Sequence, residues 1–265
     1  DLRIYSTTAN HCSGFGFHLF ATSDSVLESN SADFCCRYEP RPGGGGHIGA
    51  DAAGFLIVHG SCRNVFRTNS ARLGGDGFFL AGLRPDWVHV PCNANRFECN
   101  DASYSPNIAF EATFSSGNVF LNNLAHGGNY GFWLGFSTAN TLEGNTISAN
   151  RRAGIAVENG IDCVVRRNTI RANAYGILLW SKYVESFAHA VPANDTSRNW
   201  LITNNQLREN DVALRLAADY DHGVRPLPPT TPRCPQPHSH TLRANHFSNN
   251  HTNIQNLGAE PPVLE

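Results

Sequence analysis

The sequence predicts an all-β solenoid, and three features of the chain lead to that prediction. Asparagine-rich polar positions recur in pairs five residues apart, and the three shortest distances between successive repeats are 23, 22 and 23 residues. Short glycine-led runs such as "GFFL", "GFWL", "GIAV" and "GILL" alternate with the period of a β-strand, and asparagine and glycine mark the turns between them. Leucine-rich repeats have a similar period, but their L-x-x-L-x-L frame is absent. The pattern therefore favours a right-handed parallel β-helix with three short strands in each turn, or rung.

The repeated asparagines are predicted to build the rungs rather than to bind a ligand. In stacked rungs their side-chain amides lie above one another and can form hydrogen bonds along the stack, and asparagine tolerates the left-handed backbone of tight turns. A buried amide without a partner costs about 1–3 kcal/mol, so such a ladder satisfies these groups. The predicted repeat starts and second polar positions are Asn64 and Asn69, Asn95 and Asn100, Asn118 and Asn123, Asn140 and Asn145, Cys163 and Asn168, Asn199 and Asn204, and His240 and Asn245.

A single domain is predicted for residues 1–258, with about nine rungs of 22–23 residues. Residues 64–258 repeat regularly. Residues 1–63 form irregular rungs around "GFHLF" (16–20) and "GFLIV" (54–58), with a glycine- and proline-rich loop at 38–53. Residues 259–265 are predicted to be a tail.

Composition excludes several classes of function. The formal net charge is -2 and only 16% of residues are charged, so the chain has no basic field for nucleic acid or an anionic membrane surface. No run of about 18 apolar residues predicts a membrane span. No signal peptide is visible, but the chain starts at Asp1 and lacks methionine, so we expect a trimmed start from which a targeting segment could have been removed.

The eight cysteines favour disulfides in an oxidising compartment, with Cys92–Cys99 as a candidate pair. Free buried thiols are the alternative. A secreted or periplasmic location is predicted, and the sequence does not indicate an oligomeric state.

Three insertions interrupt the repeat, each after a glycine-led strand and before the next repeat start. They are "LRPDWVHVPCNA" (83–94), "SKYVESFAHAVPANDTSR" (181–198) and "ADYDHGVRPLPPTTPRCPQPHSH" (218–240). Because the rungs are in register, these loops are expected to leave from one edge of the solenoid, and loops on one face of a repeat array often form its binding surface.

The glycine-led strands beside that edge are predicted to present aromatic and charged side chains to solvent. Counted from the glycine, the second and fourth residues face outward. In one rung the register is ambiguous, and we align Asn107 with the glycine. The predicted substrate-binding residues are Phe79, Trp133, Trp180 and Lys182, and the predicted catalytic residues are Glu111, Glu158, Tyr183, Arg215, Tyr220 and His222. Exposed rings suit stacking on sugars; the alternative is that the long loops fold over this face and bury them.

Two reactions fit these residues. Glu111 and Glu158 are predicted to lie two rungs apart, about 9–10 Å, which is nearer the carboxyl separation of inverting than of retaining glycosidases. Two solvated glutamates are the alternative. For removal of the proton next to a uronate carboxylate, the base or acid candidates are Tyr183, Tyr220, His189 and His222, and Arg215 or Lys182 would pair the carboxylate. A salt bridge from Arg215 to Asp219 or Asp221 remains open.

No cofactor is firmly implied. Calcium binding by Asp76, Asp219 and Asp221 is one open alternative. Copper or zinc binding by the histidines near the C-terminus is another, and these are His238, His240, His246 and His251.

The segments "NVFLNNLAHGGNYGFWLG" and "NTISANRRAGIAVENGIDCVVRRNTIRANAYGILL" resemble the right-handed parallel β-helix repeat superfamily. The resemblance is to the asparagine-rich repeats of NosD-like periplasmic proteins and of mannuronan C5-epimerase-like carbohydrate-binding domains, and it covers about residues 64–258. The resemblance implies membership of a group that includes polysaccharide lyases, epimerases, hydrolases and accessory proteins without established catalysis. The Asp-Pro-His-Glu signature of alginate epimerases is absent, and "RPDWVH" (84–89) is only faintly similar to it. The paired-aspartate signature of polygalacturonases is also absent. No catalytic residue is therefore carried over.

The favoured hypothesis is a protein that binds a polysaccharide and cleaves or epimerises it in a cleft along the glycine-led strands. The polysaccharide is expected to contain uronate, and the enzyme to be a lyase, an epimerase or an inverting glycoside hydrolase. Two alternatives stay open: a non-catalytic accessory protein such as a NosD-like metal-delivery partner, and a structural fragment of a surface protein.

Overall fold

The computed structural model describes residues 1–49 and 52–265, which wind into a right-handed parallel β-helix. Each turn adds one parallel strand to two long sheets and, from the fifth turn, to a shorter third sheet. The predicted fold class is confirmed. The predicted loop at 38–53 contains an antiparallel hairpin, while Ala50 and Asp51 lie outside the described residues.

The strands of the described chain are grouped by sheet. The nine-stranded sheet contains the glycine-led strands Phe15–Phe20, Ala53–Val58, Asp76–Ala81, Ile108–Thr113, Tyr130–Trp133, Ala153–Glu158, Tyr175–Trp180, Val212–Ala217 and Thr252–Leu257. The ten-stranded sheet contains Arg3–Tyr5, Val26–Glu28, Val65–Arg67, Arg96–Glu98, Val119–Leu121, Thr141–Glu143, Val164–Arg166, Leu201–Thr203, Thr241–Arg243 and Val263–Leu264. The five-stranded sheet contains Leu124–His126, Thr146–Ser148, Thr169–Arg171, Gln206–Arg208 and His246–Ser248. The other elements are the hairpin strands Tyr38–Pro40 with Gly46–Ile48 and Tyr220–Asp221 with Arg225–Pro226, and the helix Glu185–Ala190.

Asparagine ladders join the rungs at their turns. In the longest ladder each side-chain Nδ2 donates to the Oδ1 of the next asparagine at 2.9 or 3.0 Å, and the backbone N–H donates to the same Oδ1. Its members are Asn30, Asn69, Asn100, Asn123, Asn145, Asn168, Asn205 and Asn245. The buried amides are thus satisfied by each other, which confirms their structural role.

One predicted repeat is wrong by one residue. The ladder passes through Asn205 instead of Asn204, and Trp200 occupies the repeat start in place of Asn199. Asn199 has a φ of 57° and lies at the turn, whereas the buried indole of Trp200 donates to the Gly160 carbonyl at 3.0 Å. An apolar residue preceded by a left-handed turn residue therefore replaced the expected asparagine.

Stacked phenylalanine rings fill the interior of the N-terminal rungs. Successive centroid distances are 4.8, 4.7, 5.1 and 5.0 Å along Phe17, Phe55, Phe78, Phe110 and Phe132. Ile155, Ile177 and Leu214 continue this column in the later rungs. The same inward position in every rung keeps one continuous core.

Two other sequence predictions differ from the structure. Residues 259–265, predicted as a tail, include Val263–Leu264, which pairs with Thr241–Arg243 and extends the ten-stranded sheet. The Cys92–Cys99 disulfide is wrong because Cys92 faces the core while Cys99 is exposed, and all eight cysteines, each within the described chain, are free. No helix in the described ranges has the length and apolar character that crossing a bilayer requires.

Candidate functional site

The three long insertions leave the same corner of the solenoid, after strands Asp76–Ala81, Tyr175–Trp180 and Val212–Ala217. They also touch one another: the rings of Trp87 and Phe187 lie 5.7 Å apart, and Thr196 Oγ1 donates to the Pro235 carbonyl at 2.7 Å. The prediction that the loops share one edge is confirmed. They form a wall beside the outward face of the nine-stranded sheet.

The glycine of each glycine-led strand breaks the strict alternation assumed from the sequence. A Cβ at Gly131 would lie 2.5 Å from the Gly154 carbonyl oxygen and 2.8 Å from Ile147 Cγ2, so this position faces the interior, as does the next residue. The residue before the glycine consequently faces outward, giving a third outward column. This column contains Phe15, Ala53, Asp76, Ile108, Tyr130, Ala153, Tyr175 and Val212.

The register around Glu111 also differs from the prediction. Glu111 pairs with Phe79 on one side and Trp133 on the other, so Ala109, not Asn107, occupies the glycine position. Asn107 precedes the strand, where its Nδ2 donates to Asp76 Oδ1 at 2.8 Å. Glu111 and Glu158 are therefore offset by two strands and two residues, roughly 12 Å, which exceeds the spacing of an inverting carboxyl pair.

The outward face divides into two halves. We call the strands from Phe15–Phe20 to Tyr130–Trp133 the open half, and those from Ala153–Glu158 to Val212–Ala217 the covered half. Residues 219–226, the covering hairpin, fold over the covered half. A Cβ on Gly223 would lie 2.7 Å from Leu178 Cδ1, and the Tyr220 ring lies 5.5 Å from the Arg215 guanidinium carbon.

A pocket opens where the two halves meet, and we call it the boundary pocket. It has a volume of about 360 Å³ and is lined by Asn129, Tyr130, Arg152, Asp221, His222, Val224 and Arg225. A neighbouring depression shares Tyr130 and His222 with it and adds Glu111 and Trp133. The pocket is thus continuous with the open half.

An ion-pair network orders the hairpin side of this pocket. Asp221 accepts from Lys182 Nζ at 2.7 Å and from Arg225 Nη2 at 2.6 Å. Burial would raise the pKa of Asp221, but the hydrogen bonds from Lys182 and Arg225 outweigh it and lower that pKa to about 2. Asp221 is therefore an anion throughout the neutral range.

The two proton-carrying groups of the pocket are neutral near pH 7. Burial lowers the pKa of His222, the charge of Asp221 opposes this shift, and the surrounding cations reinforce it. Burial raises the pKa of the Tyr130 hydroxyl, while the charge of Arg152 opposes that shift. Arg152 itself is exposed, and no carboxylate of the described chain pairs with it. A neutral imidazole, a protonated phenol and an available guanidinium thus face one space.

Glu158 does not line this pocket; it lies at the C-terminal end of its strand, beside Trp180 of the next strand, and is buried. Burial raises its pKa to about 7, the positive charge of Lys182 opposes the shift, and the negative charge of Asp221 adds to it. The nearby indole N–H of Trp180 also lowers this pKa, yet no hydrogen bond joins the two, and both Glu158 Oε1 and Trp180 Nε1 are buried without a partner. The alternative of a solvated surface glutamate is wrong for Glu158.

The structure gathers some of the predicted residues and separates others. His222, Trp133 and Glu111 meet at the boundary pocket and its neighbouring depression, and Phe79 is next to Glu111 in the same half-exposed column. Tyr183 lines a different cavity on the loop wall, together with Cys234.

The remaining predicted residues lie under or within the covering hairpin. Trp180 is fully buried, so its predicted exposure is wrong, and the alternative of burial by a long loop holds for this half. Arg215 is buried and donates to the Tyr175 hydroxyl at 3.0 Å, not to Asp219 or Asp221. Tyr220 packs over Arg215. Lys182 is held by Asp221 and is not available to bind a carboxylate by itself.

Sequence reasoning missed Tyr130, Arg152 and Arg225. Tyr130 belongs to the third outward column, so its signal was its place immediately before a strand glycine. Arg152 lies just before the next strand and beside the same column. Arg225 reaches the pocket only because the hairpin folds back, and no sequence period encodes that fold.

The residues considered for metal binding do not converge. Within the described residues no group of three or more His, Cys, Asp or Glu side chains is placed to hold a metal ion. Asp76 accepts from the Ile108 amide at 2.9 Å, several strands away from Asp219 and Asp221. Burial lowers the pKa of His240 to about 4, and neither of its ring nitrogens has a hydrogen-bond partner, so it is a core residue.

Several solved structures share this fold. The A-module of the mannuronan C-5 epimerase AlgE4 from Azotobacter vinelandii aligns with 100% of this chain and 64% of its own length, with a TM-score of 0.64 and 16% identity. The periplasmic alginate epimerase AlgG aligns with 96% of this chain and 50% of its own, with a TM-score of 0.59 and 16% identity. The chain therefore spans half to just under two thirds of these enzymes, and at this identity the likeness concerns the fold alone.

The sequence comparisons agree with the architecture. No curated protein matches the chain in sequence. A family model described as right handed beta helix region matches residues 84–219, just over half of the chain and including two of the three long loops. On the strength of that match and of the stacked parallel sheets, this chain belongs to the right handed beta helix family.

Proposed function

We propose that the protein binds an acidic polysaccharide across the open half of the nine-stranded sheet and removes the C5 proton of a uronate residue in the boundary pocket. The observation that carries the proposal is the meeting of Tyr130, Arg152, His222 and Arg225 around one open space. Those groups supply what such a reaction needs: cations for a carboxylate, a neutral base and a proton donor. The product would be an unsaturated or a C5-inverted uronate.

The open half offers a surface for neighbouring sugar residues. Phe79 and Trp133 flank Glu111 in one outward column, two strands or roughly 9.6 Å apart. This distance is comparable to two consecutive sugar residues of an extended chain that runs across the strands. The two rings would stack on sugar faces, and Glu111 would accept hydrogen bonds from hydroxyl groups.

The chemistry follows from the ionisation of the pocket. Arg152 would pair the uronate carboxylate and stabilise the charge that moves onto it when the C5–H bond breaks. Arg225, whose guanidinium is bonded to Asp221, would add positive charge beside it. His222, whose pKa is lowered by partial burial and by the neighbouring cations, would accept that proton, and Asp221 beside it would stabilise the resulting imidazolium. Tyr130, whose pKa is raised by burial, stays protonated and would donate a proton.

Two outcomes are open to the intermediate. If Tyr130 gives its proton to the departing O4, the C4–O bond breaks and an unsaturated uronate forms. If Tyr130 instead gives its proton to C5 from the face opposite His222, the residue is inverted. The likeness in fold to the mannuronan epimerase AlgE4 and to the periplasmic alginate epimerase AlgG supports a uronate substrate and a secreted or periplasmic location. The roughly 12 Å offset of Glu111 and Glu158 argues against an inverting hydrolase.

The proposal is tested by incubating the protein in D2O with polymannuronate, polyguluronate, polygalacturonate and neutral glycans. With at least one acidic polymer we expect either deuterium at C5 with inversion, read by NMR, or absorbance from unsaturated uronate, whose C5 carries no hydrogen. His222→Gln should abolish either product without abolishing binding. New reducing ends without deuterium or unsaturation would instead indicate hydrolysis and overturn the proposal, as would inactivity on every acidic polymer.

A further inference from the structure

Buried polar atoms without partners cluster in the covered half of the nine-stranded sheet. Glu158 Oε1, Trp180 Nε1 and Arg215 Nε lack hydrogen bonds, and they belong to three consecutive strands of that sheet. Their side chains are 9%, 0% and 7% exposed. Folded proteins pair nearly all buried polar groups, so three such atoms on neighbouring strands require an explanation.

Arg215 is the most unusual of these groups. Its guanidinium lies 5.2 Å from the Tyr175 ring and 5.5 Å from the Tyr220 ring, and its one hydrogen bond to a side chain goes to the Tyr175 hydroxyl. No carboxylate of the described chain pairs with it. A buried cation without a counter-ion is unfavourable, and the fork of donors on a guanidinium matches a carboxylate.

The covering hairpin is held by a backbone hydrogen bond, an ion pair and ring contacts. The Tyr220 amide donates to the Ser181 carbonyl at 3.0 Å, Lys182 pairs with Asp221, and Gly223 rests on Leu178. The His222 ring lies 5.6 Å from the Trp133 ring and 6.4 Å from the Trp180 ring, and the Tyr220 ring packs over Arg215. Its tip carries the exposed residues His222 and Arg225. Segments held by side-chain contacts and a partly exposed ion pair open more readily than the packed strands below them.

From these observations we propose that the covered half is a second subsite for a carboxylate-bearing sugar residue, reached when the covering hairpin moves away. Arg215 would bind the carboxylate, the Trp180 indole N–H would donate to a ring or hydroxyl oxygen, and Glu158 would hydrogen-bond a hydroxyl group. The groove would then continue from the open half through the boundary pocket across three more strands. This inference rests on the proposed function, because the same acidic chain would occupy both halves.

The experiment compares affinities for uronate oligosaccharides of increasing length by calorimetry. Wild-type protein is expected to gain affinity when the chain becomes long enough to pass the boundary pocket. Arg215→Gln should lose that gain, about 10- to 100-fold for long chains, and bind short chains as the wild type does. Arg208→Gln is the matched control, because Arg208 also has a buried Nε without a partner but lies on the five-stranded sheet.

A second variant and a second measurement keep the test decisive. If Arg215→Gln fails to fold, Trp180→Phe keeps a smaller aromatic ring, removes the N–H group and should show the same length-dependent loss in smaller degree. Hydrogen exchange at the Tyr220 amide should speed up when a long chain is bound, since that amide is bonded to Ser181 only while the hairpin is closed.

The outcomes separate this inference from the proposed function. Equal loss of affinity for short and long chains, or none, together with unchanged exchange at Tyr220, would overturn the second subsite and leave the boundary pocket standing. Failure of the wild type to bind any acidic oligosaccharide would overturn both.

Discussion

The open and covered halves of the nine-stranded sheet come from the same repeat, yet they meet solvent in opposite ways. In the open half Glu111 and Trp133 are half-exposed, whereas in the covered half Trp180 and Arg215 are buried. The strands are alike in length, register and inward packing, so the difference lies in the loops. The insertion at 83–94 stays beside the sheet, while residues 219–226 turn back over it. Loop direction, not strand sequence, decides which rungs are exposed on this face.

Glu111 and Glu158 differ in exposure in the same way as the two halves. Glu111 stands on the open half between Phe79 and Trp133, where a ligand and water can both reach it. Glu158 is buried beside Trp180, its partner on the neighbouring strand, and burial raises its pKa to about 7. The same side chain is therefore a solvent-accessible acceptor in one half and a group that titrates near neutrality in the other.

The largest expected effect comes from the residue that links the halves. Replacing His222 by Gln removes the proposed base but keeps a polar side chain of similar size, so kcat should fall about 10²- to 10⁴-fold with little change in affinity. Steady-state rates and calorimetric binding measure the two quantities. His246→Gln, an exposed histidine on the five-stranded sheet, is the control. A fall in affinity that equals the fall in kcat/KM would contradict a role in proton transfer.

Glu158→Gln tests the covered half through stability. In the folded chain the pKa of Glu158 is about 7, above its ordinary value of 4.5, so the folded state binds more protons than the unfolded state between these values. The contribution of this group to the free energy of unfolding is therefore complete below pH 4.5 and decreases as pH rises through 7, by up to about 3 kcal/mol. Gln cannot ionise, so the variant should be more stable than the wild type at pH 8 and the difference should shrink toward pH 4.5. Thermal unfolding across this pH range measures it, and a constant difference would contradict the buried carboxyl.

Trp133→Ala tests the open half through binding. Loss of the ring removes one stacking surface and should weaken binding of acidic oligosaccharides about 5- to 10-fold. Tyr104→Ala removes an exposed ring from outside the groove and should leave binding unchanged. If both variants bind like the wild type, the open half is not the sugar platform.

Asp221→Asn has the smallest expected effect and tests the join between the halves. The negative charge of Asp221 raises the pKa of His222 against burial, so its removal should lower that pKa further. The acid limb of the kcat/KM profile should shift to lower pH, because the base stays unprotonated in more acidic solution. A limb that stays in place, or moves to higher pH, would remove His222 as the titrating base.

The fold could be predicted from the sequence because its determinants are periodic. The asparagine ladder through Asn123 and Asn145 and the glycine-led strands recur at nearly constant spacing, and each rung repeats the same contacts. The boundary pocket could be predicted only in part. His222 was found in the pocket, and Trp133 and Glu111 in the neighbouring depression. Tyr130 was missed because a strand glycine interrupts the alternation, and Arg225 because its position depends on how a long loop folds.

The same tertiary dependence explains the errors about burial. Trp180 occupies an outward position in its strand, as its sequence position indicates, and only the return of the hairpin removes it from water. Nothing in the strand itself distinguishes it from Trp133. Local pattern gives the direction of a side chain, whereas its exposure depends on distant residues.

The inward-facing glycine at the start of each strand has a consequence for how such a protein can change. Because that glycine and the residue after it face the interior, the residue before the glycine position does not pack in the core. This residue is Tyr130 in one rung, Ile108 in the previous rung and Ala153 in the next. A substitution there alters the ligand surface of a single turn without disturbing the stacking of its neighbours. Specificity in this architecture can therefore diverge one turn at a time, and grafting this single position between relatives is a direct route to new selectivity.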